Sequence, residues 1–175
     1  MRRVHIIGGK NHGKTTLIEQ LIREFQDQAM CVGTIKHTHH HHELDTPGKD
    51  SYRHQKAGAA VVGILSPAMN AVFFPSSNDS TPADSIDERE NRYLRLSPLF
   101  ASCDLVLVEG DMKTPATRIE VWRSALGMPP LAQRDAQITA VVTDDPVDVS
   151  VPLWPRCDVT AVARNILDHL QRGPI

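Results

Sequence analysis

The chain has 175 residues, of which 41% are apolar and 23% charged, enough to bury a core of ordinary size and incompatible with a disordered, fibrous or coiled-coil chain. With 19 Lys and Arg against 21 Asp and Glu the formal charge is −2, which excludes a basic footprint spread over the whole surface and confines any anion site to a local cluster. Neither nucleic acid nor a membrane surface is an expected partner. The N-terminal apolar run ends at Ile7, far short of a signal-peptide core, and no stretch is long enough to span a membrane. Cys31, Cys103 and Cys157 lack CxxC spacing and read as reduced, mostly buried thiols of a cytoplasmic protein. The length suits one domain over residues 1–175.

Arg3 to Ile7 is a short apolar run stopped by Gly8 and Gly9, the pattern of a buried parallel strand. From Thr15, apolar Leu17, Ile18, Leu21, Ile22 and Phe25 recur at three- and four-residue spacing and predict an amphipathic helix to about Gln28. Cys31 to Ile35 reads as the next strand, so the chain opens with a βαβ unit whose crossover should be right-handed. His37 to Lys56 has no apolar periodicity and reads as a functional loop. Strands follow at Ala60 to Leu65 and Ala71 to Phe74, a surface loop at Pro75 to Ala83, and a helical pattern over Ser85 to Phe100. Leu105 to Val108 is the strongest buried-strand signal. Arg118 to Arg123 alternates like a half-buried strand, Ile138 to Val142 is another buried one, and Val159 to Leu170 closes the chain as a helix. With no repeat and no linker, the expectation is an α/β fold with a mostly parallel central sheet flanked by helices.

Gly8-Gly9-Lys10-Asn11-His12-Gly13-Lys14-Thr15 fits G-x-x-x-x-G-K-[ST] between a predicted strand and a predicted helix. In that context the loop amides from Gly8 through Gly13, with the first helical turn of Lys14, Thr15 and Thr16, wrap an anion at the positive end of the helix dipole. Lys14 reaches the outer phosphates and Thr15 ligates Mg²⁺. A nucleotide-bound Mg²⁺ needs an acid at the end of a second core strand. Glu109 follows Leu105 to Val108 at the ligand-binding end of the sheet, while Asp104 stands at the far end.

Lys36 to Asp45 contains five histidines, which raises a metal site, but adjacent residues of an extended segment face opposite ways, so only alternate members of the run can converge on one ion. Just beyond, Lys49 and Arg53 are four apart and can share a helix face as an anion-binding pair, with Asp50 able to approach a metal or orient a water; a solvated charged helix start accounts for them equally well. After the strand ending at Val142, Asp144 and Asp145 offer a pair of carboxylate acceptors. An acidic turn before Pro146 accounts for the same residues.

These residues resemble the molybdopterin-guanine dinucleotide biosynthesis adaptor proteins, the MobB family. The resemblance is carried by Gly8 to Leu17, by Val32 to His40, by Asp45-x-Pro47-Gly48-Lys49-Asp50-Ser51-x-Arg53-His54 with Ala57-Gly58-Ala59, by Val108-Glu109-Gly110 with Lys113, and by Arg118-Ile119-Glu120-Val121. It spans most of the first 123 residues, and the middle block is far more specific than the nucleotide loop. It implies a P-loop NTPase fold, GTP binding, a homodimer, and a helper role for the guanylyltransferase that attaches GMP to molybdopterin. Guanine recognition needs carboxylate acceptors for the base, and without an Asn-Lys-x-Asp motif the nearest substitute is Asp144 and Asp145. Three positions depart from the family pattern: His41-His42 stands where an acidic and an aromatic residue are usual, and Asp111 where an aromatic is usual. The lysine of the loop is Lys10, with Gly9 before it, unlike the second-position lysine of the Min and nitrogenase-iron type ATPases.

The leading expectation is therefore a GTP-binding adaptor with weak hydrolysis, because no arginine finger or catalytic glutamine is recognisable. A P-loop small-molecule kinase and a histidine-rich metal-binding chaperone are the alternatives.

Overall fold

The computed structural model describes residues 1–38, 45–74 and 85–172. In chain order the elements are β1 (Arg3–Ile7), α1 (Lys14–Asp27), β2 (Val32–Lys36), α2 (Asp50–Lys56), β3 (Val62–Leu65), β4 (Asn70–Phe73), α3 (Ile86–Leu96), β5 (Leu105–Glu109), β6 (Arg118–Val121), β7 (Ile138–Val142), β8 (Leu153–Trp154) and α4 (Val159–Arg172). They divide into two compact units, one from Met1–Thr38 and Asp84–Ile175, the other from His39–Ala83.

The first unit is built on a six-stranded sheet of order β2-β5-β1-β6-β7-β8 in which every pairing is parallel. The expected α/β fold with its parallel sheet is thus observed. After β1 the chain crosses to the β2 side, whereas β6 lies on the other side of β1, so the end of β1 is the place where strand order reverses and ligands bind in open α/β sheets. Strand alternation sorts the core. Val4, Ile6, Leu105, Leu107, Ile119 and Val121 join Leu17, Leu21 and Phe25 of α1 and Val162, Ala163 and Ile166 of α4 in one cluster. The intervening residues Val106 and Val108 pack with Tyr93 of α3, and Ile7, Ile138 and Val141 pack with Trp122 and Ala132. Each fully buried Leu, Ile or Phe contributes about 1.5–3 kcal/mol, so the fully buried Leu17, Leu21 and Phe25, with Ile18 beside them, anchor α1 behind the loop that precedes it.

Polar groups are buried on the α3 face. Asp111, in the left-handed region at φ 59°, accepts from Arg89 Nη1 at 2.8 Å and Tyr93 Oη at 2.8 Å. Burial favours the neutral acid, but the Tyr93 hydroxyl and the charges of His37, Arg89 and His5 outweigh it and hold Asp111 below the usual carboxylate range. The position where the family usually has an aromatic therefore carries an ion pair tying α3 to the end of β5. Beside it the ring of His5 accepts from Arg3 Nε at 3.1 Å and donates from Nδ1 to Gly110 O at 3.2 Å, which assigns the neutral Nδ1–H tautomer. Arg3 also pairs with Glu90 and lies over the Tyr93 ring, 4.3 Å from its centroid. In the R-I-E-V segment, Arg118 pairs with Asp135 at 2.8 Å, and Glu120 accepts from the amides of Leu131 and Ala132 at 2.7 and 2.9 Å. Both side chains fix connecting loops.

Several local readings change. The segment 37–56 is not all loop: α2 occupies Asp50–Lys56, short and without buried residues, which is why apolar periodicity could not reveal it. The strands expected over Ala60 to Leu65 and Ala71 to Phe74 are observed as β3 and β4, which pair with each other as an antiparallel two-stranded sheet of the second unit. β6 is buried at all four positions rather than half-buried, because its polar Arg118 and Glu120 are internally paired. The helix over 85–100 ends at Leu96 and continues as a 3-10 turn to Phe100. β8 has only two residues and was not anticipated. Cys31 and Cys157 are exposed and Cys103 is half-buried against the Tyr93, Val106 and Val108 cluster, all three as free thiols. His39 to His42 and the loop 75–84 lie outside the described residues. No helix among those described is long and apolar enough to cross a membrane.

The buried histidine sets a pH dependence. Burial first, then the Arg3 charge, lowers His5 from 6.5 to about 4 against the pull of Gly110 O, Asp111 and Glu90. The unfolded chain binds a proton near 6.5 while the folded one does not until about 4, so stability falls as pH drops through that window, by about 3 kcal/mol from this group. In His5→Gln, whose amide does not titrate, urea unfolding measured across the window should show a flatter slope; an unchanged slope would assign the pH dependence to other groups.

Candidate active site

β1 delivers the chain to Gly8, whose φ is +137°. A Cβ built there would lie 2.4 Å from Val121 O, so only glycine passes between β1 and the end of β6. Asn11 and Gly13 also have positive φ, 67° and 91°, and the loop closes with His12 N donating to Gly9 O at 3.5 Å. Gly13 caps α1, and Leu17 N donates to Gly13 O at 3.0 Å. The curl turns successive amides inward at the positive end of a helix whose first turn carries no acidic residue.

Two side chains brace this loop from beneath. His12 is 3% exposed, and its Nδ1 accepts from the Arg123 amide just after β6 at 3.0 Å. Burial, with the charges of Lys14 and Arg123, holds its ring below the ordinary histidine range, which favours the neutral form that an acceptor Nδ1 requires. Arg156, between β8 and α4, donates to His12 O at 3.0 Å and Gly13 O at 3.4 Å. His12 was expected to contribute an amide to the anion; its side chain adds a buried support. Arg156 was missed altogether, since it stands 143 residues from Gly13 in the chain and no local spacing links the two.

Lys14 Nζ donates to Gly9 O at 2.7 Å. Burial, opposed by Glu109 and reinforced by Lys36, pushes this ammonium below its ordinary range. Thr15 Oγ1 donates to Glu109 Oε1 at 3.0 Å, so the hydroxyl and the carboxylate expected to serve a metal meet between the start of α1 and the end of β5. The β2–β5 register sets Lys36 opposite Glu109, adding a second cation that the loop motif does not include. Thr16 and Asn11 are exposed at the mouth. Asp104 is at the other end of the sheet, where its carboxylate takes the Cys31 amide at 2.7 Å.

Beyond β7, Asp144 accepts from Cys157 N at 2.9 Å and Asp145 from Ser124 N at 2.7 Å. The Cys157 amide is the foremost cause that Asp144 sits below the usual carboxylate range. Both carboxylates therefore brace loops around the phosphate loop. Lys49, Asp50 and Arg53 belong to the second unit: Lys49 caps α2, and exposed Asp50 and Arg53 approach to 3.8 Å. Among the described residues no three His, Cys, Asp or Glu side chains are grouped to hold a metal ion.

A protein-family model described as molybdopterin guanine dinucleotide synthesis protein B matches residues 3–144. The molybdopterin-guanine dinucleotide biosynthesis adapter protein of Escherichia coli (strain K12) is 33% identical over 161 residues, covering 91% of this chain and 88% of the relative. The adapter protein of the same name from Haemophilus influenzae is 33% identical over 144 residues, covering 82% and 75%. A crystal structure of molybdopterin-guanine biosynthesis protein B superposes with a TM-score of 0.64 at 27% identity, covering 97% of this chain and 99% of that one. The match extends across the phosphate loop, the segment around α2, Glu109 and the paired Arg118 and Glu120, so this chain belongs to the MobB family of molybdopterin-guanine dinucleotide synthesis proteins.

Proposed function

We propose that this chain is a GTP-binding adapter that assists the guanylylation of molybdopterin, working in the cytoplasm as a homodimer alongside the guanylyltransferase. The single observation that carries the nucleotide part is the phosphate loop, a glycine-shaped nest with Lys14 at its base and the Thr15–Glu109 pair beside it. The adapter role rests on the family match over residues 3–144, which favours it over the kinase and metal-chaperone alternatives.

An entering triphosphate draws Lys14 Nζ from Gly9 O onto the β- and γ-phosphate oxygens, and the amides of Gly9 through Thr16 take the remaining charge. His12 and Arg156 keep the loop curled while its contents change. The donor set fits Mg²⁺, because Thr15 Oγ1 and Glu109 are hard oxygen ligands already 3.0 Å apart and this ion keeps several waters beside one or two carboxylates. When bound, Mg²⁺ neutralises charge on the outer phosphates. Glu109 is then committed to the metal or its waters, and Arg156 to the loop carbonyls, which leaves attack by water weakly assisted. Slow hydrolysis suits an adapter that reports nucleotide occupancy to a partner.

For the base, Asp144 and Asp145 are the proposed readers. Each carboxylate offers about four lone-pair sites and is oriented by a backbone N–H from Cys157 or Ser124, so acceptors remain for guanine N1–H and N2–H. On the second unit, exposed Lys49 and Arg53 with Asp50 are proposed to receive a phosphate outside the nucleotide loop, that of molybdopterin or of nucleotide held by the transferase.

In Lys14→Ala, calorimetry should show GTP affinity lowered by about 2–3 kcal/mol, roughly 30- to 150-fold, as expected for a charge-assisted hydrogen bond to phosphate, with an unchanged circular dichroism spectrum. Unchanged affinity would overturn the phosphate-loop reading. Thr15→Ala and Glu109→Gln should weaken binding with Mg²⁺ more than binding in EDTA; equal losses in both would remove them from the metal site. Replacing Asp144 and Asp145 together by Ala should narrow the GTP-over-ATP preference, measured by competition, and a preference that survives would shift base recognition to other groups. The adapter role itself is tested by adding the chain to transferase, GTP and molybdopterin: faster product formation supports it, and an unaltered rate rejects it.

A further inference from the structure

At the end of the sheet away from the phosphate loop, Cys31 precedes β2 and Cys103 precedes β5. They are 72 residues apart in sequence, and their sulfurs stand 3.8 Å apart. The contact is held by backbone. Asp104 N donates to Cys31 O at 2.8 Å, and Cys31 N donates to Asp104 Oδ2 at 2.7 Å, so the two strand entries are tied reciprocally. Next in register, Val32 pairs with Leu105. Gly33 leaves the room: a Cβ there would lie 2.5 Å from the Phe100 ring and 3.2 Å from Cys103 Sγ. Cys31 is exposed and Cys103 half-buried. A disulfide needs the sulfurs at about 2.05 Å, an approach of about 1.8 Å that χ1 rotation of an exposed side chain can supply.

We propose that Cys31 and Cys103 form a redox modification site, a thiol pair that a hydroperoxide converts into an intramolecular disulfide joining β2 to β5. The exposed Cys31 sulfur meets the peroxide first. Its S–O bond forms as the O–O bond breaks, and the departing hydroxide takes the thiol proton and leaves as water. Cys103 sulfur then attacks the Cys31 sulfenic acid; the S–S bond forms, the S–O bond breaks, and a second water carries off the Cys103 proton. Two thiols are oxidised and one hydrogen peroxide is reduced to two waters. Burial, the contact with Cys31 and the Asp104 charge push the Cys103 thiol up, which makes Cys103 the slower of the two to meet peroxide directly; its part in the second step rests on the 3.8 Å contact with the Cys31 sulfur. The strands so joined also meet at their other end, where His37 N donates to Glu109 O at 2.9 Å. The disulfide would therefore clamp the β2–β5 pair from the side opposite the nucleotide.

The test treats the full chain with hydrogen peroxide and maps its peptides without reduction. The expected product has lost two of its three free thiols, contains a linked peptide joining Cys31 to Cys103, migrates as an unlinked chain in denaturing gels, and melts a few degrees higher until dithiothreitol reverses the shift. Cys157→Ser should behave in the same way, and Cys31→Ser and Cys103→Ser should each fail to give the linked peptide. The Cys157→Ser arm keeps the test decisive if either serine variant folds poorly. Oxidation of Cys31 to sulfinic acid with Cys103 untouched, or cross-links only between molecules, would overturn the proposal.

Discussion

The carbonyl of Val121 occupies the space where a side chain on residue 8 would begin, 2.4 Å from a built Cβ. β1 can therefore run alongside β6 and leave the sheet at that point only as a glycine with φ of +137°. Everything at the site follows from this exit. It turns the chain so that Asn11 and Gly13 curl the amides inward, it starts α1 at Lys14, and it aims Thr15 at the end of β5. The buried face of α1, with Leu17, Leu21 and Phe25 against the sheet, then holds the helix start in place by packing rather than by contacts made within the loop.

Electrostatics around this exit are arranged by strand register. Parallel pairing sets Lys36 beside Glu109, and α1 brings Lys14 and Thr15 to the same carboxylate from the other side. One carboxylate thus mediates between two lysines and a hydroxyl, in a place that burial makes unfavourable for unbalanced charge. On the α3 face the balance is different: Asp111 is neutralised by Arg89 and held by Tyr93, which commits it to structure. Two acids two residues apart are separated in role by what the neighbouring elements offer them.

Much of this was legible in the sequence because it is written locally. The phosphate loop and the helix behind it follow from consecutive residues, and the apolar runs at 3–7, 105–108 and 138–142 each became a core strand. The parts that were not legible depend on partners far along the chain. Arg156 braces Gly13 from 143 residues away, and Arg118 and Glu120 turned an alternating segment into a wholly buried strand by finding Asp135 and the amides of Leu131 and Ala132. α2 buries no residue and so leaves no periodic signature, whereas β3 and β4 were legible as strands and only their antiparallel pairing with each other was not.

The resting position of Lys14 has a consequence for which anions the loop admits. Its ammonium is satisfied by the neutral carbonyl of Gly9 at 2.7 Å, so an incoming anion does not meet a bare charge; it must exchange places with an internal acceptor. The net gain is the difference between the two bonds, and that difference grows with the negative charge of the newcomer. Chloride, with one diffuse charge, offers less over Gly9 than a phosphate does, and the clustered charges of a polyphosphate offer most. On the proposed reading as a nucleotide site, a lysine parked on its own loop in this way would act as a threshold that favours polyphosphates over small anions.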